Sequence, residues 1–130
     1  MEWLLLIGRI IFGGFFVFNG LNHFMNLGLM GEYALSKGTP APKVAVAGTG
    51  VMLLVGGLSV VLGVLPVIGL ILLVLFLVPV AVVMHNFWAV PEEQKINEQV
   101  NFMKNMGLAG AALALMYGAS DWPLALLPSL

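Results

Sequence analysis

Apolar residues run along this chain in four stretches, separated by short polar or proline-rich segments. Crossing a bilayer core takes about 20 apolar residues per helix. The first stretch fits residues 3–25. Pro40 and Pro42 close the segment after it, and the second stretch fits 44–63. Leu65-Pro66 reads as a tight turn with proline placed where a helix can begin. The third stretch fits 67–88, with Pro79 expected to kink it. The fourth is less even, because its purely apolar part, 106–119, is short. The segment before it, 91–104, carries proline and acids in its first turn, a helix-start pattern. One helix is therefore expected to begin among the headgroups and to span over 103–119. The tail after Asp121 is too short to cross again, and Trp122 is expected to anchor it at the interface.

The predicted fold is an all-α membrane protein: a single domain over 1–130, forming a four transmembrane helix bundle with both termini on the same side. Loops 26–43 and 89–103 then share the opposite side. Lys37, Lys43, Lys95 and Lys104 lie there, against Arg9 alone on the terminal side, so the positive-inside rule puts the long loops in the cytoplasm.

Composition sharpens this picture. The chain is 61% hydrophobic and only 8% charged, which excludes both a soluble globule and a disordered chain. The net charge is −1 with no basic run, so nucleic acid is not a partner; the bilayer is. Cysteine is absent, which removes disulfides and thiolate metal sites. The N-terminus has no basic region ahead of its apolar stretch and no small-residue cleavage site, so the first span is expected to be retained. An integral place in a bacterial or archaeal plasma membrane follows. Small residues suited to close helix packing occur at Gly13, Gly14 and Gly20, at Gly48, Gly50, Gly56 and Gly57, and at Gly107, Gly110 and Ala111. A homo-oligomer is compatible with them.

With so few polar side chains, those within or beside the spans are the candidates for chemistry. Arg9, Gly13, Phe16, Gly20 and His23 follow a 4-3-4-3 spacing and so share one helix face. Arg9 and His23 are nonetheless roughly 21 Å apart along that helix at 1.5 Å per residue, too far to form one site. Arg9 could pair with Asp121 (or Glu2) as a structural tie, or hold an anionic group. The loop side is richer. His23 ends the first span among Asn19, Asn22 and Asn26; His85-Asn-Phe-Trp88 ends the third; Lys104 and Asn105 begin the fourth.

Three readings compete there. Two histidines at similar depth are the minimum for non-covalent haem b, but imidazoles more often hydrogen-bond locally. A quinone or small aromatic ligand would use His23, His85 or Lys104 on its carbonyls, with Phe24, Phe87 and Trp88 as an apolar wall. Alternatively the asparagines and histidines only cap helix ends, since unsatisfied backbone at membrane depth is costly. A metal site is not expected, because two histidines without a closely spaced carboxylate motif do not specify one.

Taken in order, several segments resemble the DoxX family of small four-helix membrane proteins over nearly the whole chain. They are Gly8-Arg9 with Asn19-Gly-Leu-Asn-His23, Lys37-Gly-Thr-Pro-Ala-Pro42, Gly56-Gly-Leu-Ser-Val-Val-Leu-Gly63, His85-Asn-Phe-Trp88, and Phe102-Met-Lys-Asn-Met-Gly-Leu-Ala-Gly110. Many members carry a glutamate shortly before the glycine pair, and Thr49-Gly-Val-Met-Leu-Leu-Val55 has none. The resemblance implies a link to quinone-coupled oxidation and oxidative stress in some members, and to membrane-protein assembly in distant relatives. The expected function is thus the membrane subunit of a redox system, quinone-linked and dependent on a partner protein. His23 and His85 would serve as carbonyl donors or proton carriers, Lys104 and Asn105 would orient the head group, and Phe87 and Trp88 would stack on it. The alternative is a non-enzymatic scaffold or assembly factor for other membrane proteins.

Overall fold

The computed structural model describes residues 1–129; Leu130, the last residue of the domain read from the sequence, lies outside the described residues. Five α-helices follow one another: α1 (Glu2–Met25), α2 (Leu27–Ser36), α3 (Pro42–Leu62), α4 (Pro66–Met84) and α5 (Glu92–Met116). Single 3₁₀ turns stand at Phe87–Ala89 and Ala119–Asp121, and no strand occurs among the described residues. Pro42 and Pro66 open α3 and α4, where a missing N–H costs nothing. Gly63, in the left-handed region at φ 65°, closes α3. α4 continues through Pro79.

Three helices are long and apolar enough to cross a membrane: α1, α3 and α4 with its 3₁₀ extension to Ala89. α5 is a single helix of 25 residues, but its first two turns are polar. The segment 26–43, expected as a loop, contains α2. Its short Leu-Gly-Leu-Met-Gly run has no strong helical signature. It becomes a helix by burying Gly31 and Ala34, with Gly31 lying close against Lys43 at the start of α3.

The helices pack in the order α1, α3, α4, α5, with α2 against α3. The five buried residues of α1 are Arg9, Gly13, Phe16, Gly20 and His23, the face that the 4-3-4-3 spacing defines. Gly13 meets Gly57 so closely that a Cβ on either would lie 2.6–2.7 Å from the other's carbonyl oxygen. Gly20 lies against Gly50 and Leu54, and Gly56 against Gly69 and Leu73, in the same way. Lipid tails solvate apolar side chains as well as a protein does, so helices gain mainly from such close approach. The other seam is leucine and alanine: Leu70, Leu73 and Leu77 of α4 share a core with Ala109 and Ala112 of α5. Gly14, Gly48, Gly107 and Gly110 have no atom near the position of a Cβ, and Ala111 is exposed, so this second group of small residues does not pack the monomer.

Arg9 is 1% exposed and holds three segments together. Its Nε donates to the Val60 carbonyl (3.1 Å) and Nη2 to that of Val61 (3.1 Å), both in the last turn of α3. Nη1 donates to Pro123 (2.9 Å) and Leu124 (3.4 Å) in the tail, and the guanidinium lies 5.1 Å from the Trp122 ring centroid. Terminal carbonyls of a helix are orphaned and carry its negative dipole end, so they suit a cation. Asp121, the expected partner, is exposed and is not among the contacts of Arg9: four carbonyls take its place. Trp122, expected at the interface, is buried at 6% under the same guanidinium. The tail is also sewn to the α3–α4 turn through Leu126 N–H to Leu62, Leu127 N–H to Gly63, and Leu65 N–H to Leu127.

Gly63 is required here twice over. Its φ favours glycine, and a Cβ would lie 2.5 Å from Arg9 Nη2. Arg9→Ala is expected to strand carbonyls that otherwise share a charge, costing about 3 kcal/mol. In thermal unfolding both Arg9→Ala and Gly63→Val should melt well below wild type, and the tail beyond Tyr117 should become cleavable by protease at lower temperature than the rest. An unchanged melting temperature in Arg9→Ala would contradict the role assigned to it.

Candidate functional site

Near the opposite end of α1 the helices diverge around a cavity of about 220 Å³. Its apolar wall is Phe15 and Phe16 of α1, Val46 and Leu53 of α3, and Phe76 and Leu77 of α4, with Met30 and Tyr33 of α2 across one end. α1 and α5 both line it, yet they form no packed seam of their own. Phe15 of α1 and Lys104 of α5 are at once exposed and cavity-lining. The cavity thus reaches the outer surface between these two helices.

Four of the expected residues meet here: His23, His85, Lys104 and Asn105. His23 is 8% exposed, its ring edge-on to Phe76 at 5.8 Å, and its Nδ1 is 2.8 Å from the Asn19 carbonyl. His85 has Nδ1 2.8 Å from Glu98 Oε2. Asn105 is 6% exposed, lines the cavity, and makes no side-chain hydrogen bond among the described residues. Lys104 makes no ion pair among them.

Phe87 and Trp88 lie elsewhere. They form an edge-to-face cluster with Phe102, centroids 5.2–5.7 Å apart, that joins the 3₁₀ turn to α5. Phe24 packs beside Gly50 and is also absent from the cavity wall. Aromatic rings prefer one another's edges, and Phe102 of α5 offers Phe87 and Trp88 that partner. Their place in the wall is taken by Phe15, Phe16 and Phe76, which adjacency to a histidine does not reveal.

Two further groups support the site. Glu98, whose side chain is 12% exposed, accepts from His85 and also from the Tyr33 hydroxyl at 2.8 Å. The Met84 carbonyl lies 2.9 Å from the same hydroxyl. Lys37 Nζ donates to Asn86 Oδ1 at 2.8 Å and sits 5.7 Å from the Tyr33 ring centroid. α2 is therefore held across the cavity's end by polar contacts reaching α4, the turn after it and α5. Burial alone would raise the Glu98 carboxyl. Hydrogen bonds from His85 and Tyr33, with the electrostatic attraction of His85 and Lys37, outweigh it and hold Glu98 below the usual range. Burial, then the bond to Glu98 and its charge, push the Tyr33 phenol far up, so it stays a neutral donor. Neither Tyr33 nor Glu98 was a candidate from the sequence. The i to i+13 separation of His85 and Glu98 spans a turn and a new helix, so no helical spacing connects them.

The other asparagines at the end of α1 make no side-chain cap. Asn19 Nδ2 donates to the Phe15 carbonyl and Asn26 donates to Asn22 on the helix-end surface. No group of three or more histidine, cysteine, aspartate or glutamate side chains that could hold a metal occurs among the described residues.

Comparison with known proteins gives two matches. The pattern of the DoxX family matches residues 4–86. The inner membrane protein YphA of Escherichia coli (strain K12) is 30% identical over 112 residues, covering 86% of this chain and 80% of the relative. No solved structure matches.

A depressed carboxyl contributes its stability in full above its unfolded-state value and loses it as pH falls through the folded one. The wild-type melting temperature should therefore drop on acidification below about pH 4.5. Glu98→Gln should melt lower than wild type at neutral pH and show a shallower acid dependence. Tyr33→Phe should cost about 1 kcal/mol, since one bond to a partly solvated carboxylate is lost. Parallel acid profiles for wild type and Glu98→Gln would remove Glu98 from this role.

Proposed function

Since the chain belongs to the DoxX family and is an integral protein of the plasma membrane, we propose that it is the membrane subunit of a redox system whose cavity holds the ring of a quinone-type lipid and which acts with a partner protein. One observation carries this reading. In an aromatic-walled cavity, the Asn105 amide and one nitrogen on each of two imidazoles have no protein partner among the described residues. Polar groups that face one shared cavity without a protein partner are free to bond a polar ligand, and three of them converge here.

The ligand's other properties follow from the walls. About 220 Å³ suits a single ring with small substituents, below the roughly 300–1,000 Å³ of sites for drug-sized molecules. The gap between α1 and α5 would let an aliphatic tail leave toward lipid. Lys104 stands at that gap as a cation for an electron-rich ring oxygen. The chain holds no cysteine and no cluster that could bind a metal among the described residues, so electrons would come from or pass to the partner.

The membrane arrangement belongs to the same reading. α5 would serve as a fourth span from about Met103, with its polar first turns among the headgroups. Both termini would then share one side, where Arg9 ties the tail to α3, and the cavity would open near the other. The scaffold reading rests on a separate feature, the outward Gly107, Gly110 and Ala111 of α5, which would admit another helix closely.

Gentle purification followed by mass spectrometry of the lipid extract tests the proposal. An isoprenoid quinone should be retained in near-stoichiometric amount and lost from Asn105→Leu with the melting temperature held. A short-tailed quinone added back should bind that variant about fivefold more weakly or worse, the equivalent of one hydrogen bond. Absence of quinone, together with no saturable binding, would discard the redox reading. Stoichiometric recovery of another membrane protein, abolished by Gly107→Ile, would establish the scaffold instead.

A further inference from the structure

The two imidazoles in the cavity are set in the same tautomer. The Asn19 carbonyl has only lone pairs to offer, so the proton between it and His23 must sit on Nδ1. Glu98 is held as a carboxylate and likewise only accepts, so His85 carries its proton on Nδ1. In each neutral ring Nε2 is then a bare lone pair. Neither Nε2 has a protein partner among the described residues, and both rings line the cavity.

This arrangement discriminates between oxidation states of a ring ligand. The carbonyl oxygens of an oxidised quinone carry only lone pairs. Only Asn105 and Lys104 could donate to them, and the two imidazole nitrogens would stay unpaired. An aromatic hydroxyl supplies the proton that each Nε2 lacks. From the geometry of these two imidazoles we infer that the cavity selects the hydroxyl-bearing form of its ligand: a hydroquinone, whose two hydroxyls can donate to Nε2 of His85 and of His23, or a phenol, whose one hydroxyl donates to either. This rests on the cavity being a ligand site, as proposed above, and goes further by naming the donor class it takes.

The surroundings fit a donor ligand. The Glu98 carboxylate behind His85 polarises its Nδ1–H and strengthens Nε2 as an acceptor, as carboxylates do behind metal-ligating histidines. The Asn105 amide can accept a hydroxyl or donate to its oxygen, and Lys104 favours a hydroxyl that has begun to release its proton. Tyr33 spends its single proton on Glu98, with the Met84 carbonyl beside it, and does not compete for the ligand.

A redox-silent pair of probes separates hydroxyl donation from everything else. Para-nonylphenol and its methyl ether share ring and tail, but the ether cannot donate. Their binding to the detergent-solubilised full chain is measured at about pH 8, where ordinary imidazoles are neutral. The phenol should bind about tenfold more tightly, close to one good hydrogen bond. In Glu98→Gln, whose amide can donate to Nδ1 and drive the proton onto Nε2, the ratio of phenol to ether affinity should fall by a few-fold, whatever the loosened cover does to both. Should Glu98→Gln fail to fold, His23→Phe, which keeps an aromatic edge on Phe76, should cut the phenol's advantage by a few-fold. Equal affinity for phenol and ether would overturn the inference and leave the cavity reading standing. Saturable binding of neither probe would overturn both.

Discussion

Everything polar inside this protein answers to one constraint: a group removed from water must find its partner within the fold or in a ligand. The structure meets that constraint in two opposite ways. At one end Arg9 spends four hydrogen bonds on carbonyls of α3 and the tail and lies against Trp122. Four of its five N–H donors are spent on backbone, and the result is a clamp. At the other end the cavity leaves Asn105 and two imidazole nitrogens without partners, and the result is a candidate site.

The packing explains why the cavity lies where it does. Glycine-to-glycine contact brings the α1 and α3 backbones together over Gly13–Gly57 and Gly20–Gly50. α4 and α5 meet through leucine and alanine, at a distance set by side chains. α1 and α5, each committed to a different neighbour, are left apart. The gap between them would be costly in water, where exposed apolar walls collapse.

The polar bridge from Tyr33 through Glu98 to His85 joins the cover of the cavity to its chemistry. α2 is fastened across the end by the same carboxylate that sets the tautomer of His85. Loss of that carboxylate therefore loosens the cover and alters the acceptor together. This coupling makes Glu98 more than a surface acid, although it contributes no atom to the cavity wall.

Much of this was legible in the residues. The hydrophobic runs determined the long helices, because lipid and a buried interior both demand apolar length. The 4-3-4-3 spacing determined which face of α1 is buried, because helical geometry is local. His23, His85, Lys104 and Asn105 could be grouped because each ends or begins a long helix near one level. Tertiary structure alone decided the rest. It gave Arg9 carbonyls in place of Asp121, since the end of α3 and the tail meet only in the fold. It turned Phe87 and Trp88 onto Phe102 and brought in Phe15, Phe16 and Phe76, since aromatic contacts depend on which helices become neighbours. It created α2 as a cover, and it set Glu98 behind His85 through a turn that no sequence period describes. Local periodicity determines what a segment is; which unpaired atoms face one another is a property of three dimensions.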